Sequence, residues 1–363
     1  MIRRKKKLVL DNGQVFEGIL FGADCDKVSE VVFNTSVVGY QEIVSDPSYA
    51  GQIVVMTYPL AGNYGITDED YEAKQSYIDG IIVRECCDTP SNFRLTRTLE
   101  EELEENGIPC ISEVDTRMLA KAVRRAGRPR GAIVDADMPV EDALALIRNT
   151  PAGERSVRRV SCRKRWLTRT PNHRFSVVAV DCGIKHSIIR LLASRGCNVT
   201  IVPFDTTAGD VLAYNPDGVL LSNGPDNVPD VPEVSALFHA IKGRIPVLGT
   251  GLGAEIIGTC YGAVPKWMGC GIHGDHPVRE LESGRIETAV MNQSYCFESL
   301  EGTGLTPTHV SVPEGYAAGF INREDKVFGV QFQIEAAPGP RDNVKLIDIF
   351  IKMMEENKDA EKN

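Results

Sequence analysis

The sequence predicts an α/β protein of two domains, and three observations support this. The chain has 363 residues, enough for two ordinary domains and a sizeable core. Hydrophobic residues make up 42% and charged residues 25%, which is typical of globular proteins. Short strand-like runs with turns fill the first half, and an alternation of strand and helix patterns fills the second. We therefore expect domains over 1–150 and 174–358, with a basic linker, 151–173, and a polar tail, 359–363.

The first domain is predicted to begin with strands separated by tight turns. These strands are expected at residues 8–10, 15–18, 30–35 and 51–58. Helices are expected at 99–106 and 115–126. Asp115 or Thr116 can cap the second helix, and basic residues in its last turn favour the helix dipole.

The second domain follows a segment rich in Arg, Pro, Ser and Thr that has little apolar periodicity, as in a linker. Strands are expected at 175–180, 199–204, 218–221, 245–248 and 326–332. Helices are expected at 185–194, 254–260 and 342–356. Such spacing predicts buried parallel strands that are joined by crossover helices.

Charge and hydropathy exclude several classes of function. The net charge of −10 argues against a nucleic-acid binder, and the longest apolar runs are too short for a membrane helix. Basic residues open the chain as in a signal peptide, but only the three apolar residues 8–10 follow them before Asp11, so we expect no export and a cytoplasmic location. The ten cysteines are dispersed without a Cys-x-x-Cys motif, which predicts reduced thiols.

The most informative window runs from residue 245 to 262. A strand leads through Gly249-Thr-Gly251-Leu-Gly253 into a helical run, which is the pattern of a nucleophile elbow. The central position is Gly251, which has no side chain and cannot attack a substrate. The glycines with Ala254 also fit a dinucleotide-binding fingerprint, but no second strand ends in an acidic residue at the expected spacing of about 20 residues.

Longer segments match a known family. In the first half these are residues 30–43, 46–52, 57–59, 62–65, 90–93 and 114–117. In the second half they are residues 221–225, 292, 295, 330–332, 335–336 and 338–340. Through them, residues 8–354 resemble the small subunit of glutamine-dependent carbamoyl phosphate synthetase (synthase), and the second half is similar to class I (triad) glutamine amidotransferases. The resemblance implies a small-subunit α/β domain followed by an open, mostly parallel-sheet amidotransferase domain.

The chain departs from this family at its catalytic triad. The nucleophilic Cys of the family aligns with Gly251 and the base His with Gln333, while the orienting Glu survives as Glu335. Glutamine hydrolysis needs a thiolate and a base that shuttles its proton, and Gln333 cannot shuttle one. Loss of one essential triad member typically lowers turnover by about 10⁶. We therefore expect a subunit that lacks the glutaminase half-reaction.

The resemblance also implies which residues would hold glutamine. They are Ser48, Gly224, Leu252, Asn292 and Tyr295, with backbone N–H groups of Gly224 and Leu252 as the oxyanion hole. Asp226 and Glu255 are acidic where the family is neutral, so repulsion of about 1 to 4 kcal/mol would weaken binding of the substrate carboxylate. The alternative for Ser48 and Tyr295 is a role in packing and hydrogen bonding alone.

The implied partner is the large subunit of the synthetase. It would bind ATP, a metal ion, bicarbonate and ammonia, and make carbamoyl phosphate for arginine or pyrimidine synthesis, so we expect no cofactor in this subunit. Cys270, His273 and His276 have the side-chain types of zinc ligands, but they lie in one short loop without a fourth ligand nearby, and we expect no metal there.

Two other functions stay open at this point. One is an active glutaminase with a relocated nucleophile, for which Cys260, Cys182 and Cys270 are the candidates. The other is a free-standing regulatory or binding protein that has no large subunit.

Overall fold

The computed structural model describes residues 4–151, 156–225 and 228–360 of the chain. These residues form two compact units. The N-terminal unit contains residues 1–155 together with Gly269–His273, and the C-terminal unit contains residues 156–268 and 274–363.

The N-terminal unit is built around a mixed β-barrel. Its strands are β1 (Lys5–Leu10), β2 (Val15–Gly22), β3 (Lys27–Asn34), β4 (Gln52–Met56), β5 (Leu60–Ala61), β6 (Gly80–Ile82), β7 (Glu85–Cys86), β8 (Pro109–Ser112) and β9 (Arg130–Asp135). In the described part of this unit, seven strands close the barrel in the order β1-β2-β8-β6-β4-β3-β9. The pairs β3–β4, β4–β6 and β6–β8 are parallel, so the chain leaves β3, β4 and β6 at the same edge.

Helices cover the barrel and connect its strands. They are α1 (Tyr40–Ser45), α2 (Leu99–Glu105), α3 (Thr116–Ala126), α4 (Val140–Asn149) and a 3₁₀ helix (Pro47–Tyr49). The predicted cap of α3 is confirmed, because a carboxylate oxygen of Asp115 accepts a hydrogen bond from the Met118 N–H at 2.9 Å. Thr98 and Glu101 form a capping box at the start of α2.

The described residues of the C-terminal unit form a ten-stranded sheet with helices on its faces. Its strands are β10 (Trp166–Thr168), β11 (Phe175–Asp181), β12 (Cys197–Pro203), β13 (Gly218–Leu221), β14 (Val247–Thr250), β15 (Lys266–Glu280), β16 (Ile286–Cys296), β17 (Thr306–Ser311), β18 (Ala317–Asn322) and β19 (Val327–Val330). Its helices are α5 (Val157–Val160), α6 (His186–Ser194), α7 (Ala208–Ala213), α8 (Pro232–Ile241), α9 (Leu252–Cys260) and α10 (Ile347–Ala360), with 3₁₀ turns at Val228–Asp230 and Asp342–Leu346.

The strand order in this sheet is β10-β12-β11-β13-β14-β19-β18-β17-β15-β16. The five strands from β12 to β19 run parallel to one another. Strands β18, β17 and β15 add an antiparallel extension on one side, and β10 adds an antiparallel edge on the other. The predicted α/β fold class, with an open sheet whose central strands are parallel, is confirmed.

The basic segment that the sequence indicates as a linker is partly structured. Within its described residues, α5 forms and β10 pairs with the edge of β12. The Arg158 guanidinium donates to Glu233 at 2.7 Å and lies over the ring of Phe204. A strand on this edge satisfies backbone groups that β12 would otherwise leave unpaired, which the apolar pattern of so short a run could not reveal.

The parallel strands bring distant parts of the chain to one edge of the sheet. Strands β11, β13, β14 and β19 all end there, and the strand order changes direction beside β11. Open α/β sheets bind ligands in loops at the carboxyl ends of their strands near such a point. The residues that follow these four strands are therefore the candidate site.

Candidate functional site

The turn between β14 and α9 has the backbone geometry of a nucleophile elbow. Gly251 lies between strand and helix with φ of 53° and ψ of −118°. Its N–H donates to the Val330 carbonyl at 3.0 Å, and its own carbonyl accepts from the Glu255 N–H at 3.1 Å. A positive φ of this size disfavours residues that have a side chain. The sequence prediction of an elbow is confirmed, and its apex carries no reactive group.

A second glycine explains how tightly the elbow is packed. A Cβ atom added to Gly253 would lie 2.0 Å from the carbonyl oxygen of Leu221 on β13. The Gly253 N–H in turn donates to the Ser222 carbonyl at 3.1 Å. The first turn of α9 therefore rests directly on the end of β13, which only a residue without a side chain allows.

Beside the elbow, the turn after β11 is organised by one buried carboxylate. Asp181 accepts hydrogen bonds from the N–H groups of Gly183 and Ile184, at 2.9 and 2.8 Å. It also accepts one from the Cys162 N–H at 2.8 Å. Burial raises the pKa of Asp181, while these backbone donors act in the opposite direction. The turn places Lys185 immediately before α6, with its side chain inside the unit.

Lys185 contacts two of the three positions that align with the catalytic triad, Gln333 and Glu335. Its ammonium is fully buried, 3.0 Å from an oxygen of Glu335, whose side chain is also buried. It donates to the side-chain oxygen of Gln333 at 2.9 Å and to the Ala337 carbonyl. Because an ammonium only donates, the Gln333 amide presents its oxygen to Lys185 and its NH₂ group elsewhere.

These contacts define what the arrangement can do chemically. Gly251 offers no nucleophile and Gln333 offers no titratable group at the base position. The one surviving triad carboxylate, Glu335, is the counter-ion of a buried lysine. The cluster is suited to holding loops together by charge-assisted hydrogen bonds and not to moving a proton.

The residues that the sequence suggests for glutamine fall into two groups. Ser48 lies in the 3₁₀ helix of the N-terminal unit, and its N–H donates to Asp46 at 2.8 Å. Gly224, Leu252, Asn292 and Tyr295 belong to the C-terminal unit. Their role as glutamine ligands stays a prediction.

Within the C-terminal unit, the suggested oxyanion residues are close neighbours. A Cβ on Gly224 would lie 2.2 Å from the Cys182 carbonyl and 3.0 Å from the Leu252 side chain. Leu252 begins α9 directly after the elbow. Asn292 and Tyr295 lie on β16, where the Tyr295 ring meets the ring of Trp267 edge to face, 5.4 Å between centroids.

Of the two acidic residues that the sequence places where the family is neutral, the structure describes Glu255 and not Asp226. Glu255 is buried in the first turn of α9, next to the fully buried Ala254. Asp226 lies outside the described residues. Lys185 and Asp181 are not predicted from the sequence; an Asp-Cys-Gly turn directly after a predicted strand is a local signal for Asp181.

Burial characterises the three cysteines that the sequence offers as relocated nucleophiles. Cys182 is fully buried in the turn after β11. Burial raises the pKa of Cys260 at the far end of α9, and that of Cys270 in the N-terminal unit. A raised pKa disfavours the thiolate that attacks a carboxamide.

The two histidines considered as zinc ligands make other contacts. Among the residues that the structure describes, no three His, Cys, Asp or Glu side chains come together as metal ligands. Instead, the His276 ring contacts Ser311 at 2.8 Å and Glu314 at 3.1 Å, and the His273 ring packs near that of Tyr49.

No helix in the described ranges combines the length and apolar character needed to cross a bilayer.

Comparison with known proteins matches both halves of the chain. Residues 8–133 match the family model described as "Carbamoyl-phosphate synthase small chain, CPSase domain", and residues 178–353 match "Glutamine amidotransferase class-I". The pyrimidine-specific small chain of carbamoyl phosphate synthase from Halalkalibacterium halodurans is 43% identical, with 98% of each chain covered.

Two further relatives are similar over nearly their whole length. The small chain from Bacillus caldolyticus is 42% identical, covering 98% of this chain and 99% of the relative. The pyrimidine-specific small chain from Bacillus subtilis is 40% identical, covering 97% and 96%. This chain therefore belongs to the family of carbamoyl phosphate synthase small chains, which join a small-chain domain to a class I glutamine amidotransferase domain.

Proposed function

We propose that this chain is a carbamoyl phosphate synthase small subunit that no longer hydrolyses glutamine and supports a large subunit that uses free ammonia. The observation that carries the proposal is Gly251 at the apex of an intact elbow. A cytoplasmic location and a role in pyrimidine or arginine synthesis belong to the same proposal.

The chemistry of the site supports the loss of hydrolysis. Attack on a carboxamide requires a thiolate, and release of ammonia requires a proton donor. Gly251 supplies no thiolate and Gln333 supplies no proton donor. A carboxylate oxygen of Glu335 lies 3.0 Å from the ammonium of Lys185. An oxyanion hole and substrate binding alone leave a very small part of the usual rate.

A relocated nucleophile is less well supported. Cys260 follows Gly251 by nine residues along α9, so about 13 Å of helix rise separates it from the elbow. Its raised pKa also keeps the thiol protonated. Cys182 is close to the Gly224 loop but is fully buried in the turn that Asp181 organises.

The partner role is inferred from the extent of the similarity. The matches cover 98% of the chain and are named as small chains of one synthase. Residues 8–133 match the small-chain domain, which contains none of the three triad positions 251, 333 and 335. A subunit of this kind would still contribute to carbamoyl phosphate synthesis through its large chain.

The first test measures the isolated chain. We expect glutamine hydrolysis no faster than a buffer blank, followed as ammonia release. A rate within 100-fold of an active class I glutaminase assayed in parallel, and abolished by a thiol alkylator, would support the relocated nucleophile instead. Mass spectrometry after incubation with an electrophilic glutamine analogue would then identify the labelled cysteine.

The second test uses the large chain from the same organism. We expect the two chains to co-elute and to make carbamoyl phosphate from ammonium and not from glutamine. Equal use of both nitrogen donors would contradict the proposed loss. Failure to co-elute would contradict the partner role and favour the free-standing regulatory protein.

A further inference from the structure

A cavity of about 610 Å³ lies beside α3 in the N-terminal unit. Its walls are the turn between β1 and β2, the first residues of β2 and one face of α3. This volume is in the range of sites that hold small molecules. The cavity is lined by residues other than the triad positions and the suggested glutamine residues, so what it binds is independent of the proposed function.

The floor of this cavity is apolar and belongs to the core of the unit. Phe16 and Ala122 line it, and both are buried members of one core cluster that joins the barrel to α3. Val15 and Met118 continue the apolar lining towards the surface, where Met118 is 54% exposed. The floor is therefore formed before any ligand arrives, and a flexible methionine at its rim can adapt to an apolar group.

Two cationic side chains stand on the helical wall of the cavity. Lys121 and Arg125 lie one helical turn apart on α3, and both are exposed. Neither charged group has an ion-pair or hydrogen-bond partner in the part of the chain that the structure describes, and no acidic residue lines the cavity. Like charges at this spacing repel each other, and only Arg125 lies in the last turn, where the helix dipole favours a cation. An anion between them would relieve this repulsion.

The opposite wall supplies a further hydrogen-bond donor. The Asn12 amide donates to the side-chain oxygen of Gln14 at 3.1 Å, and its own oxygen accepts from the Gln14 N–H at 3.0 Å. These contacts order the turn between β1 and β2. Because the Gln14 oxygen already accepts from Asn12, the NH₂ group of Gln14 is left to donate to a ligand.

We propose that this cavity binds a small organic phosphate, with its phosphate between Lys121 and Arg125 and its apolar body, such as an aromatic ring, on the floor beside Phe16. A phosphate monoester carries a charge of about −1.5 to −2 at neutral pH, which matches two cations, whereas a carboxylate matches one. The guanidinium of Arg125 can also hold two phosphate oxygens at once. The net charge of −10 repels anions at long range, so the affinity comes from these close contacts.

The test measures binding of 1-naphthyl phosphate to the full chain by titration calorimetry. Naphthoate, naphthol and inorganic phosphate are titrated in parallel, so that the phosphate and the apolar body are tested separately. One variant combines Lys121→Gln with Arg125→Gln. Arg124→Gln is the matched control, because Arg124 is also exposed in the last turn of α3 but does not line the cavity. Both variants should keep the wild-type melting temperature, since glutamine favours a helix about as well as lysine and arginine do.

We expect the wild type to bind 1-naphthyl phosphate with a dissociation constant below about 1 mM. The double variant should bind at least about 10-fold more weakly, and the control within about twofold of the wild type. No binding by the wild type, or unchanged binding by the double variant, would overturn the site. Naphthoate that binds as tightly as naphthyl phosphate would overturn the assignment to a phosphate. Inorganic phosphate that binds as tightly would overturn the role of the apolar floor.

Discussion

At the scale of single residues, the backbone of the elbow at Gly251 limits how far glutaminase activity can be restored by substitution. A Cβ at position 251 would lie 3.2 Å from the Cβ of Asn223, and the backbone has a φ of 53°. A side chain there introduces strain of about 1–3 kcal/mol. Gly251 thus relieves strain that a nucleophile at this position would have to bear.

We therefore expect the Gly251→Cys, Gln333→His double variant to show only weak glutaminase activity. The pair rebuilds a proton path, but Lys185 and Glu335 are already engaged with each other and the positive charge of Lys185 disfavours an imidazolium at 333. A misplacement of about 1 Å can lower the rate roughly 100-fold. Turnover equal to that of an active class I glutaminase would contradict this expectation, and Gly251→Cys alone serves as the control without a base.

Glu335 is expected to stabilise the fold through its contact with Lys185. Glu335→Gln removes the carboxylate that lies 3.0 Å from the buried ammonium of Lys185, so we expect the free energy of unfolding to fall by about 3–5 kcal/mol. The surface pair Lys266–Glu298 is the matched control, since both side chains are more than half exposed. Glu298→Gln should change stability by less than about 1 kcal/mol.

Urea unfolding of both variants measures these changes. A double-mutant cycle with Lys185→Met then isolates the interaction of Lys185 with Glu335. Equal effects of Glu335→Gln and Glu298→Gln would show that the surviving carboxylate has no structural role.

At the scale of secondary-structure elements, the contact between α9 and β13 depends on Gly253. A methyl group there would meet the Leu221 carbonyl at 2.0 Å, so Gly253→Ala should lower the free energy of unfolding by about 3 kcal/mol. Gly209→Ala in α7 is the control, because an added Cβ meets only the Thr207 hydroxyl at 3.8 Å. That control should stabilise the helix by about 0.5–1 kcal/mol. Thermal melts measure both variants, and a melting temperature of Gly253→Ala at or above that of Gly209→Ala would contradict the prediction.

Some strands and helices could be predicted from the sequence and others could not. Apolar runs and caps predicted β11, β13 and α3, because their signals are local. The long strands β15 and β16 were not predicted, since glycine, histidine and a proline at 277 interrupt any alternation in β15. Their pairing is decided by the sheet that they extend.

The same reasoning applies to the candidate site. The missing Cys and His could be identified from the family resemblance alone. The contact of Lys185 with Gln333 joins residues 148 positions apart, so no local pattern encodes it. It emerges only when the parallel strands bring the two loops to one edge.

At the scale of the whole molecule, buried titratable groups set how stability depends on pH. His309 on β17 is almost fully buried, and its Nε2 atom has no hydrogen-bond partner in the described part of the chain. Burial lowers the pKa of His309 from 6.5 to about 4; nearby Glu280 acts against this shift and Lys345 adds to it. The folded protein therefore keeps this imidazole neutral where the unfolded chain protonates it.

The sign of the effect follows from proton uptake. Between pH 6.5 and about 4 the unfolded state binds the proton that the folded state excludes, so stability falls as the pH falls through this window. Above pH 6.5 both states are neutral, and below about pH 4 both are protonated, so the contribution no longer changes. The full loss over this window amounts to about 3 kcal/mol.

We therefore expect His309→Gln, which keeps a polar side chain that does not titrate, to flatten the acid limb of the stability curve. The difference in unfolding free energy between wild type and variant should shift by about 2–3 kcal/mol from pH 7 to pH 4.5, in favour of the variant. Asp181 and the other titrating groups are common to both proteins, so their contributions largely cancel in this difference. Denaturant titrations at several pH values measure it, and parallel curves for the two proteins would show that His309 is not the group whose protonation destabilises the fold.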